Sequence, residues 1–186
     1  MPNLMQTPML LKKLMIFIDG SNLSGGSARY AEKINDPDYE VDVFKLLKRI
    51  SRGYDLIRTY FYSSTAQPQD IRSKTEQFWH QKMITLQTQL MRHGVKVTNK
   101  LRQKNKEKGV DVALVTDFLM LGMREAFEVA IIVSGDQDYV NAIEAVQNMG
   151  RTVHIACFEN SFPDEMYRYV DRYIRFDDFA REIRKV

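Results

Sequence analysis

The sequence is poor in the residues that form disulfides and zinc sites. Its only cysteine, Cys157, excludes an intramolecular disulfide and any cysteine-rich zinc site. The three histidines, His80, His93 and His154, have none of the spacings of a zinc motif. A metal bound by this chain is therefore expected to be held by oxygen atoms, which favour hard cations such as Mg²⁺ or Mn²⁺. The lone thiol also favours a cytoplasmic location.

Long apolar runs and linker-like segments are missing as well. No stretch approaches the roughly 20 apolar residues that span a membrane, so no membrane partner is expected. Lys12 and Lys13 follow the short apolar patch near the N-terminus, whereas a signal peptide carries its positive charge first. Because there is no repeat and no Pro-, Gly- or Ser-rich linker, residues 1–186 are interpreted as a single domain.

Apolar strand-like runs alternate along the chain with segments of helical periodicity. Strands are predicted at residues 14–18, 56–62, 95–101, 129–133 and 152–158. Helices are predicted at 42–51, from Pro68 to about Arg92, at 110–123, at 139–148 and over a shorter segment near Pro163. The helix at 110–123 is apolar on most sides and is expected to be packed deep in the protein. Ser24 to Ser27 is interpreted as a loop. This alternation predicts an α/β fold, a three-layer α/β/α sandwich whose mostly parallel central sheet has about five strands.

Two of the most apolar predicted strands end in acidic residues. The first runs into Asp19, and the fourth runs into Ser134-Gly-Asp136-Gln-Asp138. Parallel strands end at the same edge of a sheet, so these carboxylates are expected to share one crevice, joined by Asp111 at the start of a predicted helix. Each motif alone has an ordinary explanation as a turn, a helix cap or a helix N-terminal charge.

Converging carboxylates repel one another unless they take up protons or bind a cation. The candidate ligands of a divalent cation are Asp19, Asp111, Asp136 and Asp138, with Asn22 and Ser134 as supporting groups. Asp117, about 240° around the helix from Asp111, is better interpreted as a structural or supporting carboxylate. An EF-hand is excluded because Val140 and Gln147 stand where it needs oxygen ligands.

Three segments in order resemble the NYN domain, the LabA-like branch of the PIN-like nuclease superfamily. They are residues 16–22, residues 108–114 with Asp117 beyond them, and residues 131–139, followed by a fitting stretch at 145–153. The resemblance covers residues 14–158 and leaves 159–186 as a C-terminal extension. It implies a PIN-like fold and a ribonuclease site in which the four aspartates hold Mg²⁺ or Mn²⁺.

Cations are concentrated ahead of Asp111, although the net charge is only +3. Between Lys96 and Lys108 six cations stand against the single Glu107. The expected phosphate-binding residues are Arg102, Lys104, Lys106 and Lys108. The alternative to phosphate binding is that this segment is only a solvated basic loop.

Aromatic residues allow base stacking, but packing is the favoured interpretation for most of them. This holds for Tyr139, and Phe78 with Trp79 are expected in the core or at an interface. The tail residues concerned are Tyr167, Tyr169, Tyr173, Phe176 and Phe179.

The leading functional hypothesis is a metal-dependent ribonuclease that hydrolyses phosphodiester bonds of single-stranded RNA. One alternative is a catalytically silent module of the same fold that binds RNA or a protein. Another is a different metal-dependent phosphoryl enzyme, such as a DNA nuclease or a small-molecule phosphatase. A homodimer is compatible with the sequence.

Overall fold

A computed structural model describes residues 10–102 and 109–186. The strands are β1 (Lys13–Asp19), β2 (Asp55–Thr65), β3 (Lys96–Leu101), β4 (Val129–Val133), β5 (Thr152–Cys157) and β6 (Arg172–Arg175). The α-helices are α1 (Gly20–Lys33), α2 (Val43–Ile50), α3 (Lys74–Arg92), α4 (Val110–Met123) and α5 (Val140–Asn148). The six strands form one sheet in the order β3-β2-β1-β4-β5-β6, and every neighbouring pair is parallel.

Alternating residues of the central strand β1 supply two separate cores. Leu14, Ile16 and Ile18 join residues of α1, α2 and α3 in one apolar cluster. Met15 and Phe17 point to the opposite face and join residues of α4 and α5. Because successive side chains of a strand point to opposite faces, an apolar run such as β1 is buried only when helices cover both sides. The predicted three-layer α/β/α sandwich is therefore confirmed, with six strands rather than about five.

The order of the strands reverses at β1. From β1 the chain first adds β2 and β3 on one side, and then adds β4, β5 and β6 on the other. Ile18 lies opposite Val133 in the register between β1 and β4. The predicted neighbourhood of these two parallel strands is thus correct, and their carboxyl ends open at the switch point where α/β sheets commonly bind ligands.

The prediction of a loop at Ser24 to Ser27 is wrong, because these residues belong to α1. Gly25 and Gly26 lower helix propensity and misled the sequence argument. A Cβ at Gly26 would lie 3.1 Å from Ser161 Oγ and 3.3 Å from a ring carbon of Phe158. The helix accepts this glycine because tight packing against the neighbouring turn outweighs its low propensity.

The long third helix begins later than predicted. Pro68–Asp70 forms a separate 3₁₀ turn, and α3 begins at Lys74. Ser73 Oγ accepts a hydrogen bond from Glu76 N, while the Glu76 carboxylate accepts one from Ser73 N, so this reciprocal capping box fixes the start. No helix in the described parts of the chain is long and apolar enough to cross a membrane.

Burial of α4 is one-sided, contrary to the expectation that this helix is packed deep in the protein. Leu114 and Phe118 are fully buried, but Val112 is 68% exposed and Met123 is 64% exposed. The helix is apolar on most sides, yet it covers the sheet with only one face. Its opposite face is open among the described residues.

The C-terminal segment contains a strand that the sequence analysis missed. No α-helix forms near Pro163; a 3₁₀ turn at Asp164–Arg168 leads into β6, a four-residue strand at the sheet edge. Phe176 and Phe179 are buried, as expected for packing residues, whereas Tyr167 is exposed.

Two aromatic residues on α3 are exposed, whereas the sequence predicts that they lie either in the core or at an interface. Phe78 is 61% exposed and Trp79 is 57% exposed, so neither belongs to the core. The prediction of an interface for them stays a prediction.

Truncation of Phe118 is expected to destabilise the fold strongly. Its ring packs at 5.3 Å between centroids against Phe17 and at 6.1 Å against Phe127, and its burial is complete. Phe118→Ala should lower the free energy of unfolding by about 3–5 kcal/mol, measured by urea denaturation. Val112→Ala, on the exposed face of the same helix, should change it by less than about 0.5 kcal/mol. Equal losses in the two variants would contradict this assignment of faces.

Candidate active site

Asp19 ends β1 and caps α1 with the same side chain. Its Oδ1 accepts hydrogen bonds from the backbone N–H groups of Ser21 and Asn22, both at 3.0 Å, and from the Ser21 hydroxyl at 2.7 Å. Its Oδ2 accepts one from the Tyr139 hydroxyl at 3.1 Å. The residue is only 3% exposed. The buried negative charge is thus balanced by the N-terminal amides of a helix, where an anion is favoured.

The loop after β4 is tied to the start of α1. Asn22 Oδ1 accepts a hydrogen bond from Gly135 N at 3.1 Å. Ser134 Oγ accepts one from Asp136 N at 3.2 Å, and Asp136 Oδ1 accepts one from Asp138 N at 3.0 Å. Asn22 and Ser134 therefore hold the acidic loop in place, which is the geometry that a supporting role requires.

The two glycines beside the aspartates allow close approach of other backbone segments. A Cβ on Gly135 would lie 1.6 Å from the carbonyl oxygen of Ser161, which no rearrangement of a side chain could relieve. A Cβ on Gly20 would lie 2.8 Å from the ring of Phe61 and 2.9 Å from the carbonyl oxygen of Tyr62. Neither glycine has a positive φ, so their role is packing rather than turn geometry.

Asp111 and Asp19 share one hydroxyl. The Tyr139 hydroxyl lies 3.2 Å from Asp111 Oδ1 in addition to its contact with Asp19. A hydroxyl has one proton and donates to one carboxylate at a time. Burial raises the pKa of Asp111 above its usual range, and the negative charge of Asp19 raises it further. The two carboxylates therefore repel each other across a hydroxyl that only partly separates them.

Tyr139 is the site residue that the sequence analysis missed. Its ring is buried, as the packing prediction required, but its hydroxyl joins two proposed ligands. The only available signal was its position directly after Asp138. Because burial raises its pKa, the hydroxyl keeps its proton at neutral pH and acts as a donor.

The aspartates line a cleft of about 370 Å³. Its lining residues are Asp19, Ser21, Asn22, Gly109, Asp111 and Asp136. Asp138 lies outside this lining and is exposed, although its charge contributes to the raised pKa of Asp111. The cleft thus brings together the acidic ends of β1 and β4 with the beginning of α4.

The cleft offers the donor set of a hard cation, but its carboxylates do not converge on a single point. Within residues 10–102 and 109–186, no three Asp, Glu, His or Cys side chains form a ready-made metal cage. Three carboxylates nevertheless face one space, and their mutual repulsion would be relieved by a divalent ion.

Asp117 and Arg102 have partners outside the cleft. Asp117 Oδ2 accepts a hydrogen bond from the Tyr62 hydroxyl at 2.9 Å and lies 3.7 Å from Lys96 Nζ. Arg102 Nε donates to Ser64 Oγ at 3.0 Å. The other predicted substrate-binding residues, Lys104, Lys106 and Lys108, lie outside the described residues.

The fold and the acidic cleft at its switch point define a PIN-like, nuclease-type α/β domain. The model of the NYN domain family matches residues 13–177, and the chain belongs to this family. NYN and PIN-like nucleases as a class use divalent metal ions.

Two individual proteins are similar to this chain. The protein named low amplitude and bright protein LabA, from Synechococcus elongatus, is 25% identical over 177 residues, which cover 93% of this chain and 88% of that protein. A crystal structure of a protein of unknown function from Vibrio parahaemolyticus has a TM-score of 0.68 at 16% identity. The match covers 96% of this chain and 99% of the other, and it supports the fold alone.

Removal of the Tyr139 hydroxyl is expected to destabilise the metal-free protein. Tyr139→Phe keeps the buried ring but leaves Asp19 and Asp111 without their shared donor, which should cost about 2 kcal/mol in urea denaturation with a chelator present. Tyr60→Phe is the matched control, since Tyr60 is buried and its hydroxyl bonds to no described residue. Identical unfolding midpoints for the two variants would refute the role of the bridging hydroxyl.

Proposed function

We propose that this protein is a divalent-metal-dependent ribonuclease whose catalytic residues are Asp19, Asp111, Asp136 and Asp138. The observation that carries the proposal is the single cleft in which carboxylates from β1, α4 and the loop after β4 face one another. Membership of the NYN family supports it, because the family is of nuclease type.

Mg²⁺ or Mn²⁺ would be held by Asp19, Asp111 and Asp136, with the exposed Asp138 at the rim of the site. When bound, such an ion polarises a phosphodiester and lowers the pKa of a coordinated water. Asn22 and Ser134 keep the two acidic segments in register through their bonds to Gly135 N and Asp136 N. Tyr139 orients Asp19 and Asp111 through its hydroxyl.

RNA is the proposed substrate, single-stranded RNA in particular, and the cleft that would receive it lies at the carboxyl ends of β1 and β4. The basic segment that includes Arg102, Lys104, Lys106 and Lys108 is proposed to hold the phosphate chain. It leads directly to Gly109, which lines the cleft. Because this segment directly precedes Gly109 in the sequence, its cations are proposed to accompany the phosphate chain to the negatively charged cleft.

Binding without cleavage is the second candidate function. The observation that favours it is that the carboxylates of the described residues do not converge on one point and that the oxygens of Asp19 already accept hydrogen bonds. Such a module would have the same fold and would bind RNA or a partner protein without cutting it.

Cleavage of end-labelled single-stranded RNA and DNA should separate these functions. We expect RNA to be cut with Mn²⁺ or Mg²⁺ and to stay intact with chelator. Asp136→Asn should lower the rate by about two orders of magnitude or more, because Asp136 bonds only within its own loop and can change without unfolding the protein.

Asp117→Asn is the matched control, since Asp117 lies on the same helix as Asp111 but contacts Tyr62 and Lys96 outside the cleft. It should cut RNA at close to the wild-type rate. A fully active Asp136→Asn variant would refute the assigned site, and binding without turnover by folded wild-type protein would favour the second function. Cleavage of DNA but not of RNA would show that the substrate is DNA rather than RNA.

A further inference from the structure

We infer that Arg29 forms a phosphate-binding subsite on α1, beside the acidic cleft and distinct from the basic segment that follows β3. The inference rests on the proposed function, since it concerns how a single-stranded RNA is held next to the carboxylates. Its ligand is a backbone phosphate one or more nucleotides away from the scissile bond.

The helical repeat places Arg29 on the same face as a cleft residue. Gly25 and Gly26 follow Asn22 by three and four residues, and Arg29 follows Gly26 and Gly25 by three and four residues, so all four lie in one stripe along the helix. Asn22 lines the cleft. Side chains on a helix lean towards its N-terminus, so Arg29 reaches back along this stripe in the direction of the cleft.

The guanidinium lies over Gly25, one of the two glycines of this stripe. A Cβ on Gly25 would be 3.3 Å from Nη1 of Arg29, so the guanidinium covers the turn that directly follows Asn22, about 5 Å along the helix axis from it. Arg29 Nη2 donates a hydrogen bond to Ser161 Oγ at 2.8 Å. The hydrogen bond thereby ties the charged group to the turn at Ser161, while Arg29 remains exposed and does not itself line the cleft.

The same turn is packed directly onto the acidic loop. Gly135 meets the carbonyl oxygen of Ser161, and Gly135 N donates to Asn22 Oδ1. Arg29, Ser161, Gly135 and Asn22 therefore form a continuous series of contacts that ends at the cleft. Backbone packing places the turn at Ser161 against the acidic loop, and the hydrogen bond to Ser161 places the guanidinium on that turn.

Arg29 is a charge without a carboxylate partner in the described chain. It forms no ion pair with any of residues 10–102 and 109–186, and its one polar partner is a neutral hydroxyl. Other cations near this turn are engaged, since Lys33 pairs with Glu159 and Asp177. An unpaired guanidinium presents donors in the planar arrangement that matches a phosphate.

The test measures binding of labelled oligouridylate by fluorescence anisotropy, at constant Mg²⁺ and over a series of salt concentrations. Every protein carries Asp136→Asn, so turnover does not enter the result. Arg29→Gln should weaken binding about tenfold and reduce the slope of log affinity against log salt by about 0.7, the value for one phosphate contact on a single strand. Arg29→Lys should keep most of the slope.

Two controls separate a phosphate contact from a structural role. Arg52→Gln removes an exposed arginine just ahead of β2, at the opposite end of the strands, and should change neither affinity nor slope. Ser161→Ala removes the hydroxyl partner of Arg29 without removing charge, and should leave the slope unchanged.

An unchanged slope in Arg29→Gln, or the same slope change in Ser161→Ala, would overturn the inference, as would a failure of the parent Asp136→Asn protein to bind oligouridylate. A wild-type protein that binds RNA but does not cut it would refute the proposed nuclease while leaving the subsite testable by the same measurement.

Discussion

The buried carboxylate of Asp19 is the interaction on which the rest of the site depends. Burying an unpaired carboxylate costs several kcal/mol, so the protein must surround it with donors. Those donors are the first free N–H groups of α1, together with the hydroxyls of Ser21 and Tyr139. Consequently α1 has to begin immediately after β1, without an intervening loop. One side chain thus ends the strand, starts the helix and lines the cleft.

A second constraint couples the other half of the site to the same helix. The loop after β4 can lie against α1 only because Gly135 has no Cβ where the carbonyl of Ser161 approaches, and Gly26 plays the equivalent part on the helix side. Asn22 then joins the two segments by accepting from Gly135 N. The sheet register brings Ile18 opposite Val133, so these contacts operate between neighbouring strand ends. The position of the acidic cleft is therefore a product of sheet topology and backbone packing.

Most of the fold could be predicted because the strands have strong local signals. The runs ending at Asp19 and Asp136 are buried on both faces, and continuous apolar sequence is what such strands require. Features governed by tertiary contacts could not be predicted in this way. Gly25 and Gly26 indicate a loop by local propensity, and the four-residue β6 is held mainly by its pairing with β5. The Tyr139 hydroxyl belongs to the same class, since aromatic residues after a strand usually only pack.

Charge separation would resolve the conflict between an acidic cleft and the polyanionic substrate proposed for it. A cation among the aspartates would form ion pairs with them and neutralise the groups needed for metal binding. Lys96 is one cation that does not pair with the aspartates of the cleft. Its ammonium lies 5.2 Å from the centre of the Tyr60 ring and pairs with Asp117 rather than with Asp19 or Asp111. Arg29 is a second such cation, since its hydrogen-bond partner is the neutral Ser161 hydroxyl. Neither cation pairs with a carboxylate of the cleft, so the aspartates stay available to a metal ion, and Arg29 stays available to the phosphate proposed for it.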